Sequence, residues 1–168
     1  SWAERIVVFD TETTGIDPAN DRIVTAFVGI LDANGDVERG TDWLADPGVE
    51  IPERATEVHG ISTEMAQQEG EPAPEVTAKI ANSLAWVARH NLPLVVFNAP
   101  YDLTLLAAEC RRHGVEMPML GEQVVDPLII DRQVDRFRKG KRTLSDCASV
   151  YGVEPVSYTH LRAHETVL

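Results

Sequence analysis

Asp10-Thr11-Glu12 follows directly on the apolar run Ile6-Val7-Val8-Phe9. Such a run reads as a buried strand, and a strand sends alternate side chains the same way, so Asp10 and Glu12 project to one side. Two carboxylates held close together repel each other. The pair is costly unless protonated or bridged by a cation. Hard divalent cations such as Mg²⁺ or Mn²⁺ take oxygen ligands of this kind. The same three residues would also suit a solvated turn. Asp102 adds a third carboxylate, just past the apolar run Leu94-Val95-Val96-Phe97 and near the start of a helical pattern. Ligands of α/β sheets gather beyond the carboxyl ends of strands. Three acids brought there could hold two metal ions, which would activate water and stabilise the leaving oxygen of a phosphodiester. Taken alone, Asp102 is equally an acid favoured by a helix N-terminus.

The elements that must position these acids follow from periodicity. Residues 5–44 read as a three-strand antiparallel meander, with Asn34-Gly35 as the hairpin turn. Residues 46–62 read as a loop, and a short helix begins at Ser62-Thr63. Glu71 to Pro74 is a break. Pro74–Arg89 places Val76, Ile80, Leu84 and Val87 at helical spacing. Leu94–Phe97 is a buried strand, and Pro100–His113 is a helix stopped by Gly114. Val124-Val125 is a short strand, Asp126 caps a helix opening at Pro127, and Thr143–Tyr151 is the last helix. Strands first, then strands alternating with helices, predict an α/β fold: a mixed five-stranded sheet flanked by helices.

Composition narrows the classes. The chain has 168 residues, 43% hydrophobic and 25% charged, which sets an expectation of one soluble globular domain. Cys110 and Cys147 fit no metal or redox spacing, so a cytoplasmic location with reduced thiols is expected. A net charge of −12 excludes a passive basic coat for nucleic acid. It does not exclude an enzyme that meets phosphate through metal ions. Six of the fifteen basic residues lie in 132–142: Arg132, Arg136, Arg138, Lys139, Lys141 and Arg142. That run either guides a phosphate backbone or forms a solvated face.

The motifs together carry a resemblance. Phe9-Asp10-Thr11-Glu12-Thr13-Thr14-Gly15 resembles the first motif of the DEDD-type 3′–5′ exonucleases, histidine subgroup. Val58-His59-Gly60-Ile61-Ser62 resembles the segment before their first helices, and Asn98-Ala99-Pro100-Tyr101-Asp102 resembles their second motif. Val125-Asp126-Pro127-Leu128, Lys141-Arg142-Thr143-Leu144 and Tyr151-Gly152-Val153 are similar to the run towards their third. This subgroup includes proofreading epsilon subunits of bacterial DNA polymerase III. The resemblance covers roughly residues 4–154 in the expected order.

What it implies is an RNase H-like fold and two-metal hydrolysis from a 3′ end, with Mg²⁺ or Mn²⁺ held by Asp10, Glu12 and Asp102. It places Thr13 and Thr14 at the terminal nucleotide, and His59, Ile61, Asn98 and Tyr101 near the substrate strand. The implied partners are a nucleic acid 3′ end, single-stranded DNA before RNA, and a DNA polymerase; repair or proofreading follows as a role. For His59 a loop histidine bonded to backbone is the competing reading, and for Tyr101 packing at a helix start.

The third motif departs from the pattern. The family places a histidine about five residues before a final aspartate on the last helix. No aspartate follows Asp146 here, and only His160 with Glu165 mimics the spacing. The stretch Pro155–Thr166 resembles a translated sequencing adapter. The expectation is therefore an exonuclease domain over 1–154 without its last helix, a non-native tail over 155–168, and an activity impaired by loss of the general base. Two other readings compete. A haloacid-dehalogenase-type phosphatase would use Asp10 as a nucleophile, but Glu12 stands where that class wants Asp or a small residue. A non-catalytic nucleic-acid- or polymerase-binding module would not need Asp10, Glu12 and Asp102 together.

Overall fold

The structure, a computed structural model, describes residues 4–154. Three strands open it: β1 (Arg5–Thr13), β2 (Ile23–Asp32) and β3 (Val37–Asp46). They form the expected antiparallel meander, with Phe9 opposite Val28 and Asp10 opposite Phe27. The turn from β2 to β3 forms because the Asp32 carboxylate accepts from the N–H groups of Asn34 and Asp36, at 2.8 and 3.0 Å, while Gly35 supplies the positive φ.

Then come α1 (Glu53–His59), α2 (Thr63–Glu69), β4 (Glu71–Pro72), α3 (Ala73–Arg89), β5 (Leu94–Val95), α4 (Ala99–His113), β6 (Val124–Val125), α5 (Pro127–Val134) and α6 (Leu144–Val150). The sheet order is β4-β3-β2-β1-β5-β6. β5 runs parallel to β1 and β6 parallel to β5, so the sheet is mixed, with its antiparallel part first.

Three expectations need correction. The described residues form six strands, because Glu71-Pro72 adds a short parallel edge strand beside β3. Pro72 is tolerated there because an edge strand has no second neighbour to supply with an N–H. The segment 46–62 is not all loop: α1 occupies Glu53–His59. It buries no residue, so it carries no amphipathic pattern to read. The strand expected over 94–97 pairs only at 94–95, although the Val96 N–H still reaches the Val125 carbonyl at 3.0 Å.

The core lies between the sheet and α3 with α4. Val76, Ile80, Leu84 and Val87 of α3 and Leu105 and Leu106 of α4 pack against Val7, Phe9 and Leu94. Each such side chain contributes about 1.5–3 kcal/mol by leaving water. Since Val7 and Phe9 face α3 and α4, strand alternation turns Thr11 the same way and Asp10 and Glu12 the other. A smaller core of Val24, Ile51, Ile61 and Ala66 fixes α2 at the end of the meander where β1 finishes. Cys110 and Cys147 are both buried and unpaired. No helix among the described residues is long and apolar enough to cross a membrane.

Candidate active site

The carboxyl end of β1 and the amino end of α4 meet at the candidate site. Thr11 Oγ1 donates to Asp102 Oδ1 at 2.6 Å, which ties helix to strand. Asp102 is only 5% exposed. Burial pushes its pKa up to about 7; the Thr11 hydroxyl works against that rise and the Asp10 charge adds to it. Glu12 is also pushed up to about 7, by burial first and then by the Asp10 charge. Asp10 opens to solvent on one side, but protein crowds the rest of its carboxyl and raises its pKa, with the Thr11 N–H pulling it down. Asp10 therefore acts electrostatically on both Glu12 and Asp102. Among the described residues none of them is ion-paired with a Lys, Arg or His.

A second network holds the loop after β1. The Tyr101 hydroxyl of α4 donates to the Gly15 carbonyl and shares a 2.8 Å bond with Thr13 Oγ1. His59 Nε2 stands 3.1 Å from the Thr13 carbonyl, and His59 Nδ1 accepts from the Ile61 N–H at 3.2 Å. An accepting Nδ1 fixes the neutral tautomer with the proton on Nε2. Burial lowers the His59 pKa, which agrees with a neutral ring, although its bond to Thr13 opposes that shift. Thr14 is buried; its hydroxyl donates to Asp21 Oδ1 at 2.8 Å and accepts from the Arg22 N–H at 3.0 Å. A Cβ on Gly15 would lie 2.5 Å from the Asp21 carboxylate, so only glycine leaves room for this clasp.

The sequence-derived residues thus fall into groups. Thr11 ties Asp102 to the strand that carries Asp10 and Glu12, and the Asp10 charge acts on both of the other acids, although as placed the three do not close into one cluster. Thr13, His59 and Tyr101 form the loop network. Asn98 is exposed and caps α4 in the left-handed region, φ 58°. Ile61 differs: its side chain is 7% exposed and packs in the smaller core. His160 and Glu165 lie outside the described residues.

Sequence reading missed two supports. Thr11 reads as a spacer between acids, and only the approach of α4 shows its bond. Asp126 reads as the cap of its own helix, and it does accept from the Leu128 N–H at 2.9 Å. It also accepts from the N–H groups of Asn98 and Ala99 at 3.0 and 2.9 Å. Asp126 therefore bolts the start of α5 to the start of α4. The parallel pairing of β5 with β6 brings them together.

Among the described residues no set of three or more His, Cys, Asp or Glu stands close enough, as placed, to hold a metal ion. The donor chemistry still fits a hard divalent cation. All three groups are oxygen acids without a protein counter-charge; burial raises all three pKa values, and the Asp10 charge adds to the rise at Glu12 and Asp102.

The family model for exonucleases of the RNase T type matches residues 7–164, running past Glu154 into the tail. A DNA polymerase III subunit epsilon-like protein of Rhodobacter capsulatus is 36% identical over 102 residues, 60% of this chain and 14% of that protein. A PolC-type DNA polymerase III of Streptococcus agalactiae is 28% identical over 128 residues, 76% of this chain and 8% of that protein. The chain thus matches only a small part of the length of these curated relatives. Among solved structures, product-bound exonuclease I superposes with a TM-score of 0.76 at 19% identity, covering 93% of this chain and 40% of the other. Exonuclease I of E. coli with a dT13 oligonucleotide gives 0.69 at 20%, covering 90% and 36%. At these identities the likeness is one of fold.

Proposed function

Because the chain belongs to the exonuclease family whose model matches residues 7–164, we propose that it hydrolyses phosphodiester bonds from the 3′ end of single-stranded DNA, releasing nucleoside monophosphates. The observation that carries this reading is the group of three carboxylates with raised pKa values and no counter-ion, linked by the 2.6 Å Thr11–Asp102 bond. Asp10, Glu12 and Asp102 are the residues that would hold two divalent cations, Mg²⁺ or Mn²⁺. When bound, these supply Lewis-acid stabilisation of charge at the scissile phosphate.

The chain's own residues do the positioning. Glu12 and Asp102, with pKa values pushed up to about 7, would release their protons on holding a cation, and burial raises Asp10 in the same direction. Thr11 fixes the rotamer of Asp102. Tyr101 and His59 hold the Thr13 backbone and the Gly15 carbonyl in place, which sets the surface that meets the terminal nucleotide. Both His59 nitrogens are engaged, so His59 is a positioning residue and not the base. Asn98 and Tyr101 border the path of the strand. The exonuclease domain spans residues 1–154.

DNA is preferred to RNA because the relatives are DNA polymerase III proteins and a fold neighbour was solved on dT13. The same relatives support a DNA polymerase as partner; proofreading or repair as the role rests on the motif resemblance, and the cytoplasm as the place on the two reduced cysteines. Chromatography of products from single-stranded DNA and RNA with Mn²⁺ tests the assignment. Deoxynucleoside monophosphates released faster than ribonucleoside monophosphates support it; preference for RNA makes the chain an RNA-trimming enzyme instead.

A further inference from the structure

The structure splits the basic run into an inward and an outward set. Arg138 turns inward and clasps Asp131 with both terminal nitrogens, each at 2.8 Å. Arg142 Nη1 adds a 2.5 Å bond to the same carboxylate, and the Tyr151 hydroxyl donates at 2.9 Å. Asp131 is 3% exposed, and Arg138, with Arg142 and Tyr151, holds its carboxyl well below the usual range. Arg142 also donates to the carbonyls of Asp135 and Arg138, at 2.6 and 3.1 Å. The turn between α5 and α6 is therefore fastened from inside, and these two cations are spent on folding.

Arg132, Arg136, Lys139 and Lys141 face outward. All four are exposed, and among the described residues none forms an ion pair. Phe137 stands among them, 90% exposed, with Val134 at 75%. In a chain of net charge −12 this is a concentrated positive patch around a bare aromatic ring. Cations that follow a backbone and a ring on which any base can stack are the two elements of single-strand binding. An acidic protein segment would satisfy the cations but leave the ring without a stacking partner.

The patch is joined to the site through the fold. Asp126 joins the start of α5 to the start of α4, the helix that carries Asp102. α5 has eight residues, about 12 Å of helix, and the turn follows its end. We propose that the α5–α6 turn is a second contact site for the single-stranded nucleic acid, where Arg136, Lys139 and Lys141 meet phosphates and Phe137 stacks on a base. The identity of the polymer rests on the nuclease reading above. Strands of two or three nucleotides do not reach the turn; longer ones gain affinity there.

Fluorescence anisotropy with labelled dT3 and dT15, in EDTA and over a salt series, tests this on the whole chain. Phe137→Ala is expected to weaken dT15 binding about fivefold to a hundredfold. The triple variant Arg136→Ala/Lys139→Ala/Lys141→Ala is expected to lower the slope of log K against log salt by about 2, roughly 0.7 for each phosphate lost. Both should leave dT3 binding and the circular dichroism melt unchanged, and Phe137→Trp should keep dT15 affinity. The proposal is overturned if the variants bind dT15 like the parent, if the parent binds dT15 no better than dT3, or if polyglutamate displaces dT15 as well as unlabelled dT15 does. Mn²⁺-dependent nucleotide release, scored on the same parent preparation, judges the nuclease reading separately. Its absence beside a length-dependent patch effect would reject that reading alone.

Discussion

Thr11 Oγ1 on β1 donates to Asp102 Oδ1 on α4 across 2.6 Å, joining two of the motifs that lie 91 residues apart in sequence. The bond favours the charged form of Asp102, whose pKa burial pushes up to about 7. Thr11→Val keeps the shape and removes the donor. The Asp102 pKa should then rise further, so the acid limb of the pH–rate profile moves to higher pH and the rate at pH 7 falls about tenfold. A variant with the parent profile would leave the bond without a role.

Stability of the metal-free protein should fall as pH rises from about 4 to about 7. Asp102 goes from an ordinary 3.8 to about 7 on folding, so the folded state binds the proton more tightly. Its contribution is fully present below 3.8 and lost as pH climbs through the folded value, by about 4 kcal/mol at most. Glu12, also near 7, adds in the same direction. Urea midpoints at pH 5 and 7.5 in EDTA measure this. Asp102→Asn should flatten the difference, and millimolar Mn²⁺ should restore stability at the higher pH.

Asp131 acts in a different window with the opposite sign. Its pKa is lowered, by Arg138 first, so its contribution is present above the ordinary 3.8 and lost as pH falls below it. Asp131→Asn should lower the urea midpoint at pH 7 and remove that part of the acid transition. Chain termination after α5 is not needed to see it; far-ultraviolet circular dichroism on the intact chain suffices.

Tyr101→Phe removes the hydroxyl that donates to the Gly15 carbonyl and meets Thr13. The loss of stability should be about 1 kcal/mol. The larger effect should be on KM, several-fold upward, because the loop that meets the terminal nucleotide loosens while the carboxylates stay in place. A fall in kcat with KM unchanged would instead put the phenol at the reacting atoms.

Much of this was legible in the sequence where one local rule decides. Ile6–Phe9 and Asp10-Thr11-Glu12 announce a strand ending in acids, and Val76, Ile80, Leu84 and Val87 announce α3. α1 was not legible, because a helix that buries nothing has no periodic signal. Nor was the double use of Asp126, since its bonds to Asn98 and Ala99 depend on strand pairing and not on spacing. The basic run shows a third kind of limit. Charge alone does not say that Arg138 and Arg142 serve Asp131 while Arg136, Lys139 and Lys141 face water.

The most direct test of the account is a 5′-labelled single-stranded DNA oligonucleotide incubated with the chain and Mn²⁺, beside EDTA and Asp10→Ala controls. The account predicts a ladder shortening from the 3′ end, abolished by EDTA and lowered about 10³-fold or more by Asp10→Ala, since several kcal/mol of charge stabilisation are lost. Release of the labelled 5′ nucleotide, or a ladder that survives EDTA or Asp10→Ala, would contradict it.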